Sequence, residues 1–236
     1  MSDHVGVGHF DPQLKQKAKS SIRKKILLVV LVFITSIAFT AVFVYSRYLY
    51  PTGEIIPGLY AVKTGGNGFP MVNSYLIQVG EKYIAIDTGV SNDQTEIELQ
   101  RLGISTDDVV AVFITHEHDD HIGALGLFNN ATFYTGSIEL DFPHQIMSDR
   151  EIVEIYGLSI QSIYTPGHTS GCVTYLIDDK YLFAGDLFVN SNFARYSTEL
   201  QLLNREKVLE IYKSEYVFTG HFGLFKSVGF FRWWFG

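Results

Sequence analysis

The stretch "THEHDDH", residues 115–121, places three histidines and three acidic side chains in seven positions. His116 and His118 lie two residues apart, and alternate positions of an extended segment share one face, so both imidazoles can point at one ion. Asp120 and His121 follow too closely to complete the same tetrahedral shell, but they are well placed for a second ion. The alternative is a solvated polar turn. Histidine and carboxylate without cysteine favour Zn²⁺, and Mn²⁺ and Fe²⁺ are also compatible.

Apolar runs on both sides of this heptad predict a sheet-rich domain. The run that leads into it, "DVVAVFIT" (108–115), is continuous and indicates a strand buried on both faces. Upstream, the sequence predicts strands at 55–62, 73–79 and 82–89 and a helix at 92–103 that ends in Gly103. Directly downstream, "IGALGLF" (122–128) is compatible with a short helix.

The second half of the chain shows the same pattern of short apolar runs. Strands are predicted at 131–136, 151–157, 158–168 and 216–221, with a hairpin at 172–186. The segment 198–214 predicts a helix whose buried stripe consists of Leu200, Leu203, Val208 and Ile211. Two similar halves of strands and helices predict an α+β fold in which two sheets face each other with helices outside.

Three further strand ends finish in a candidate metal ligand. "TPGHTSG" contains His168, "FAGD" contains Asp186 and "FTGH" contains His221, and glycine precedes the ligand each time. A single histidine or "GD" pair is common in proteins. The three motifs indicate a metal site because all of them follow the heptad in this order.

Together with Asp87 in "IDTG", these motifs resemble the metallo-β-lactamase superfamily over residues 54 to about 225. The resemblance implies an αββα sandwich with a metal site along one edge of the sheets. It also implies ligand roles: His116, His118 and His168 for a first ion, Asp120, His121 and His221 for a second, and Asp186 as the bridge. Asp87 would be a structural neighbour of the ligands.

Within that superfamily, the presence of His121 and Asp186 makes the sequence resemble the glyoxalase II and lactonase relatives more than the true β-lactamases. The resemblance therefore implies a binuclear zinc hydrolase in which metal ions lower the pKa of water toward 7. The resulting hydroxide would attack an ester, thioester, lactone or amide carbonyl of a small molecule, and Asp120 would orient it or carry a proton. Asn192, Arg195 and Tyr196 are candidates for the substrate pocket, with ordinary loop residues as the alternative.

Two other function classes stay open. "GHTSGCVTYLIDD" (167–179) is similar to the persulfide dioxygenases, which use a single iron, although the stretch that usually follows the bridging aspartate is replaced by "LFVNSNFARYS" (187–197). Cys172 in this motif is expected to be a small buried residue and not a redox thiol. The third class is a non-catalytic, membrane-tethered metal-binding protein.

Residues Ile26 to Tyr45 form 20 positions without a charge. A helix of that length spans about 30 Å, the thickness of the hydrocarbon core of a bilayer. Six lysines and arginines precede it between Lys15 and Lys25, which predicts a cytoplasmic N-terminus and an extracytoplasmic main domain. We expect an uncleaved signal anchor, with a cleaved signal peptide or a buried core helix as the alternatives.

The predicted organisation is a basic tail (1–25), a membrane anchor (26–45) and a catalytic domain (54–236). Seven Lys/Arg against two Asp/Glu up to Arg47 give +5, and the total of −7 leaves −12 for the remainder. Such an acidic domain argues against a nucleic-acid substrate. The glycine-rich segment 63–71 is compatible with a flap. The aromatic tail 228–236 would pack on the sandwich or lie at a membrane interface.

Overall fold

A computed structural model describes residues 22, 24–40, 52–66, 69–136, 140–212 and 214–225. The chain divides into two units, Met1–Tyr50 and Pro51–Gly236. In the first unit, residues 24–40 are helical (α1). Residues 41–45 of the predicted anchor and the tail 228–236 lie outside the described residues. Within the part of the chain that the structure describes, none of the helices combines the length and apolarity that crossing a membrane requires.

The second unit contains a first sheet of seven strands in chain order. They are β1 (Gly53–Ile56), β2 (Leu59–Gly66), β3 (Phe69–Val79), β4 (Lys82–Ile86), β5 (Val109–Phe113), β6 (Thr132–Thr135) and β7 (Gln145–Ile146). The first four strands are antiparallel neighbours, and β4 to β7 run parallel. Parallel strands place their carboxyl ends at the same edge of the sheet, and the heptad 115–121 lies at this edge.

The second sheet has six strands in the order β13-β12-β11-β10-β9-β8. Their bounds are β8 (Ile152–Ile155), β9 (Leu158–Tyr164), β10 (Val173–Ile177), β11 (Tyr181–Phe183), β12 (Tyr216–Thr219) and β13 (Gly223–Phe225). Only β11 and β12 pair in parallel among these described strands. Their carboxyl ends therefore also share an edge.

Three apolar clusters show the layering. The central cluster joins Tyr75 and Phe113 of the first sheet to Tyr175 and Phe183 of the second. A second cluster packs helix α2 (Asn92–Leu102) on the outer face of the first sheet, and a third packs α4 (Thr198–Ile211) on the second sheet. Between them in sequence lies α3 (Asp119–Ile122), a single turn. The predicted α+β sandwich with helices outside is confirmed.

Several element boundaries differ from the sequence prediction. The strand predicted at 55–62 is two strands, because the chain turns at Pro57–Gly58 and Gly58 has a φ of 77°. The helix predicted at 122–128 is limited to the last residue of α3 and a 3₁₀ turn at Leu125–Leu127. All described residues of the predicted flap at 63–71 belong to β2 or β3. Strands β7 and β13 were not predicted.

The predicted buried stripe of α4 is wrong. Leu203 and Ile211 are 56% and 54% exposed, and only Val208 of the four predicted residues is buried. The residues buried with it are polar, namely Gln201, Asn204 and Arg205. A helix can bury polar side chains when its neighbours offer hydrogen-bond partners, and those partners are the loops that carry His168 and Asp186.

Candidate metal centre

All seven predicted ligands lie at the carboxyl ends of strands, at one edge of the sandwich. His116 and His118 follow β5, and Asp120 and His121 lie in α3 directly after them. His168, Asp186 and His221 follow β9, β11 and β12 respectively. The structure brings them together in two groups, which are His116, His118, His168 and Asp186, and Asp120, His121 and His221.

In the first group three imidazoles converge. His118 Nδ1 lies 3.1 Å from His116 Nε2 and 3.0 Å from His168 Nε2. Asp186 Oδ2 lies 3.3 Å from His168 Nε2 and 3.8 Å from His116 Nε2. Zn–N bonds of about 2.1 Å in a tetrahedron separate neighbouring ligand atoms by about 3.4 Å. The four atoms therefore have the spacing of one coordination shell.

Hydrogen bonding does not account for this arrangement. A ring nitrogen of a neutral imidazole is either a donor or an acceptor, so His118 Nδ1 cannot form good hydrogen bonds to both neighbouring nitrogens. His121 Nε2 and Asp186 Oδ1 are buried without a hydrogen-bond partner, although they lie 3.4 Å apart. Buried polar atoms are rarely left so, and a shared cation would satisfy them. The donor set fits a metal.

Asp186 joins the two groups. Its Oδ1 lies 3.4 Å from His121 Nε2 and its Oδ2 lies 3.2 Å from His221 Nε2. Asp120 Oδ2 lies 3.4 Å from the same nitrogen of His221. One carboxylate thus faces nitrogens of both groups, which is the arrangement that the resemblance implied for a bridging ligand.

Asp87 holds the segment after β5 and the ring of His121 in place. It follows β4 with a φ of 58°, and it is buried. Thr115 donates its backbone N–H to Asp87 Oδ1 (2.7 Å) and its hydroxyl to Oδ2 (2.8 Å). His121 donates Nδ1–H to Oδ2 at 2.7 Å, which leaves its Nε2 lone pair for the centre. Asp87 is therefore a neighbour of the candidate ligand His121, and its partner Thr115 was missed because a single Thr carries no sequence signal.

His221 is held by strand β3. Its Nδ1 donates to the carbonyl oxygen of Met71 at 2.7 Å, so that Nε2 faces Asp120 and Asp186. The preceding residue, Gly220, accepts from both the backbone and the side chain of Asn73, at 2.7 and 2.8 Å. These partners are about 150 residues away in the chain and were not predicted from the sequence.

Burial keeps the first group of histidines neutral. It lowers the pKa of His116 well below the ordinary value and that of His168 to about 4, against the attraction of Asp186. Burial and then the charge of Arg195 also lower the pKa of His118. Neutral imidazole is the form that binds a metal, so this group is prepared for one.

Around the carboxylate of Asp186 the balance of pKa shifts is different. Burial raises the pKa of Asp186, but His121 and His221 outweigh it and hold that pKa well below its ordinary value. Conversely, burial opposes the charged form of His121, and the carboxylates of Asp186 and Asp87 raise its pKa well above normal. The two carboxylates therefore favour a positive charge beside His121 Nε2, which is what a metal ion would supply.

A hydrogen bond outside the two groups also links the heptad to the loop that contains His168. Glu117, which lies between His116 and His118 in the sequence, accepts a hydrogen bond at 2.8 Å from the hydroxyl of Thr169. The backbone N–H and hydroxyl of Thr169 contact Cys172 Sγ at 3.3 and 3.4 Å. Burial raises the pKa of the Cys172 thiol to about 12. Cys172 is thus the expected small buried residue.

The three predicted pocket residues lie on the segment between Asp186 and α4. Asn192, Arg195 and Tyr196 are all exposed, and Tyr196 is 59% exposed. Arg195 is the one tied to the centre, because its backbone N–H donates to the carbonyl oxygen of His168 at 2.8 Å. Phe193 beside it, which was not predicted, is 66% exposed.

Several known proteins are similar to this chain in sequence or in fold. A sequence model of the Metallo-beta-lactamase superfamily matches residues 67–141. The hydroxyacylglutathione hydrolase of Glaesserella parasuis serovar 5 is 32% identical over 120 residues, which are 47% of this chain and 50% of that protein. The "probable metallo-hydrolase" of Methanocaldococcus jannaschii is 30% identical over 151 residues, which are 60% of this chain and 71% of that protein.

Among solved structures, a metallo-beta-lactamase family protein of Thermus thermophilus has a TM-score of 0.62 at 21% identity, over 74% of this chain and 77% of that chain. This likeness shows the fold alone. The chain spans about half the length of the Glaesserella relative. Its match to the Methanocaldococcus protein, however, extends over 71% of that relative at 30% identity. The chain belongs to the metallo-beta-lactamase superfamily.

Proposed function

We propose that this protein is a metal-dependent hydrolase with a binuclear zinc centre. The observation that carries the proposal is the position of Asp186 between two groups of neutral or carboxylate-paired histidines. In this proposal one ion binds His116, His118 and His168, the other binds Asp120, His121 and His221, and Asp186 bridges them. Imidazole nitrogens and carboxylate oxygens in these numbers favour Zn²⁺.

The reaction we propose is hydrolysis of an ester, thioester, lactone or amide. Bound divalent ions would polarise the carbonyl and lower the pKa of water toward 7. Asp120 is partly exposed, with 15% of its side chain accessible, and its Oδ2 lies beside His221 Nε2 in the second group. We assign to it the orientation of the attacking water and the transfer of a proton to the leaving group. The names of the two curated relatives support a hydrolase.

Metal analysis with a substrate panel tests this function. Purified full-length protein is expected to contain about two zinc ions per chain and to hydrolyse at least one ester, thioester or lactone. His116→Ala should lose the first ion and the activity, whereas the matched control His144→Ala, a histidine outside both groups, should keep both. A protein that binds no transition metal, or an H116A variant with unchanged hydrolysis, contradicts the proposal. Oxygen consumption with a persulfide would identify the iron dioxygenase alternative instead.

We propose in addition that Arg195 binds an anionic group of the substrate, with Tyr196 and Asn192 lining the same side. Arg195 is exposed, its backbone is hydrogen-bonded to His168, and its charge acts on His118. Replacement by Ala should raise KM for substrates that carry a carboxylate or phosphate by about tenfold, a cost of about 1.4 kcal/mol. The KM for neutral esters should stay unchanged, and equal effects on both substrate classes would refute the assignment.

For location we propose an N-terminal membrane anchor at Ile26–Tyr45, with the catalytic domain on the extracytoplasmic side. Support comes from 20 uncharged positions after a basic segment and from the exposure of apolar side chains along 26–39. Full-length protein should resist extraction from membranes by carbonate, and a variant that begins at Pro51 should be released. Recovery of the full-length chain in the carbonate supernatant would refute the anchor.

A further inference from the structure

Helix α4 buries a polar face. Gln201, Asn204, Arg205 and Val208 recur at helical spacing and are all buried. In contrast, Leu202 and Leu203 on the remaining surface, and Ile211 at the end of the helix, are at least 43% exposed. Three of the four buried side chains carry hydrogen-bond donors. Their acceptors are backbone carbonyl oxygens of the two loops that contain Asp186 and His168.

The loop after Asp186 receives most of these bonds. Gln201 is fully buried, and its Nε2 lies 3.2, 3.1 and 3.2 Å from the carbonyl oxygens of Asp186, Leu187 and Val189. Arg205 donates Nε–H to the carbonyl oxygen of Leu187 at 2.6 Å, and a second guanidinium nitrogen donates to that of Val189. The backbone that starts at the bridging carboxylate is thus attached to two side chains of α4.

The loop before His168 contacts the same helix. Asn204 donates Nδ2–H to the carbonyl oxygen of Pro166 at 2.7 Å, and Ser197 donates its N–H to that of Gly167 at 2.9 Å. A Cβ on Gly167 would lie 2.4 Å from the backbone nitrogen of Gln201, so the loop lies directly against the helix. Both ligand-bearing loops are therefore positioned by one element.

Stability alone does not account for the buried charge on this face. Burial lowers the pKa of the Arg205 guanidinium, and no carboxylate of the described residues contributes to that shift. Replacing buried charged groups by apolar ones of similar volume is often neutral or stabilising. Residues behind metal ligands, in contrast, are commonly retained because they orient the ligands.

We propose that Gln201, Asn204 and Arg205 are positioning residues that set the metal affinity of the centre. Gln201 and Arg205 fix the backbone that carries Asp186, and Asn204 fixes the loop that carries His168. The inference rests on the proposed function only in requiring that the two groups bind metal. Because Asp186 faces both groups and His168 only one, the three residues differ in which ion they control.

Titration of chelator-treated, full-length protein with Co²⁺, followed by its visible absorption, tests this assignment. Gln201→Leu should weaken both binding steps by about 10- to 100-fold, the usual effect of losing a residue that orients ligands. Asn204→Leu should weaken one step only. The matched control is Val208→Ala, which removes apolar packing on the same buried face of α4 and should leave both affinities within about twofold.

Thermal unfolding of the metal-free variants separates positioning from stability. The inference would be overturned if each variant lost metal affinity in proportion to its loss of Tm, and if Val208→Ala behaved like Gln201→Leu. Should Gln201→Leu not fold, Arg205→Met and Arg205→Lys replace it, and the lysine variant is expected to recover affinity that the methionine variant loses. Wild-type protein that binds neither Co²⁺ nor Zn²⁺ would overturn the inference and the proposed function together. Metal binding without hydrolysis would overturn only the function.

Discussion

Replacing Asp87 by Asn tests how the second group of ligands is oriented. The carboxylate accepts from Thr115 through both oxygens and from His121 Nδ1 at 2.7 Å. An amide of the same shape keeps one acceptor. If its oxygen still accepts from the backbone N–H of Thr115, its NH₂ group takes the place of Oδ2 and faces both Thr115 Oγ1 and His121 Nδ1. To accept from that NH₂, His121 must move its proton to Nε2, where it meets Asp186 Oδ1 3.4 Å away. The lone pair that would bind a metal is then lost.

The size of the effect follows from this tautomer change. Loss of a residue that orients a ligand typically costs about 10- to 100-fold in metal affinity, or about 1.4–2.7 kcal/mol. The first group does not contact Asp87 directly, so its affinity should change by less than about threefold. The metal-free protein should also lose about 2 kcal/mol of unfolding free energy, because charge-assisted hydrogen bonds to a buried carboxylate are replaced by weaker ones.

The assay is competition of Zn²⁺ against a chromophoric chelator, which resolves two affinities, together with urea unfolding of the metal-free protein. Asp93→Asn is the matched control, because Asp93 is an exposed carboxylate in the first turn of α2. Two wild-type affinities in the Asp87→Asn protein would refute the reasoning, as would equal weakening of both ions.

Three further outcomes are expected. Gly220→Ala should weaken the second ion at least about tenfold, because the new Cβ would lie 2.5 Å from Asp186 Oδ1 and 2.7 Å from His121 Cε1; an unchanged affinity would show that the loop moves freely. Cys172, with its pKa raised to about 12, should not react with a thiol reagent at pH 8 until the protein unfolds, and rapid labelling of native protein would contradict its burial. Chelation should lower Tm, and zinc at about 100 times Kd should restore about 2.7 kcal/mol of stability; equal Tm values with and without zinc would contradict a native-state site.

The positions of the seven ligand candidates could be predicted because they lie in the loops, or in the single helical turn, that follow apolar strands. About fifty residues separate His116 from His168, and about as many separate His168 from His221. They meet nevertheless, because strand ends of a layered sandwich lie at one edge. What the sequence could not show were the partners that aim the rings. The Met71 carbonyl and the Asn73 side chain are ordinary strand residues, and they meet the His221 loop only after the two sheets pack.

Strand boundaries failed for local reasons. The Pro57–Gly58 pair is a turn signal, but the apolar residues on both sides gave the appearance of one strand. Strands β7 and β13 contain two and three residues, too few for any alternation to be recognised.

The failure on α4 has a different cause, which concerns the limits of hydrophobic periodicity. That pattern ranks side chains by their preference for an apolar environment, whereas the surface under α4 consists partly of loop carbonyl groups. Each such carbonyl would cost about 1–3 kcal/mol if buried without a donor. Gln201 alone contacts three of them, so leucine in its place would gain about 2 kcal/mol of apolar burial but would leave the carbonyl oxygens of Leu187 and Val189 to the donors of Arg205 alone. Irregular loops at a metal centre create this demand, and the helix beside them must present donors even while its leucines remain exposed.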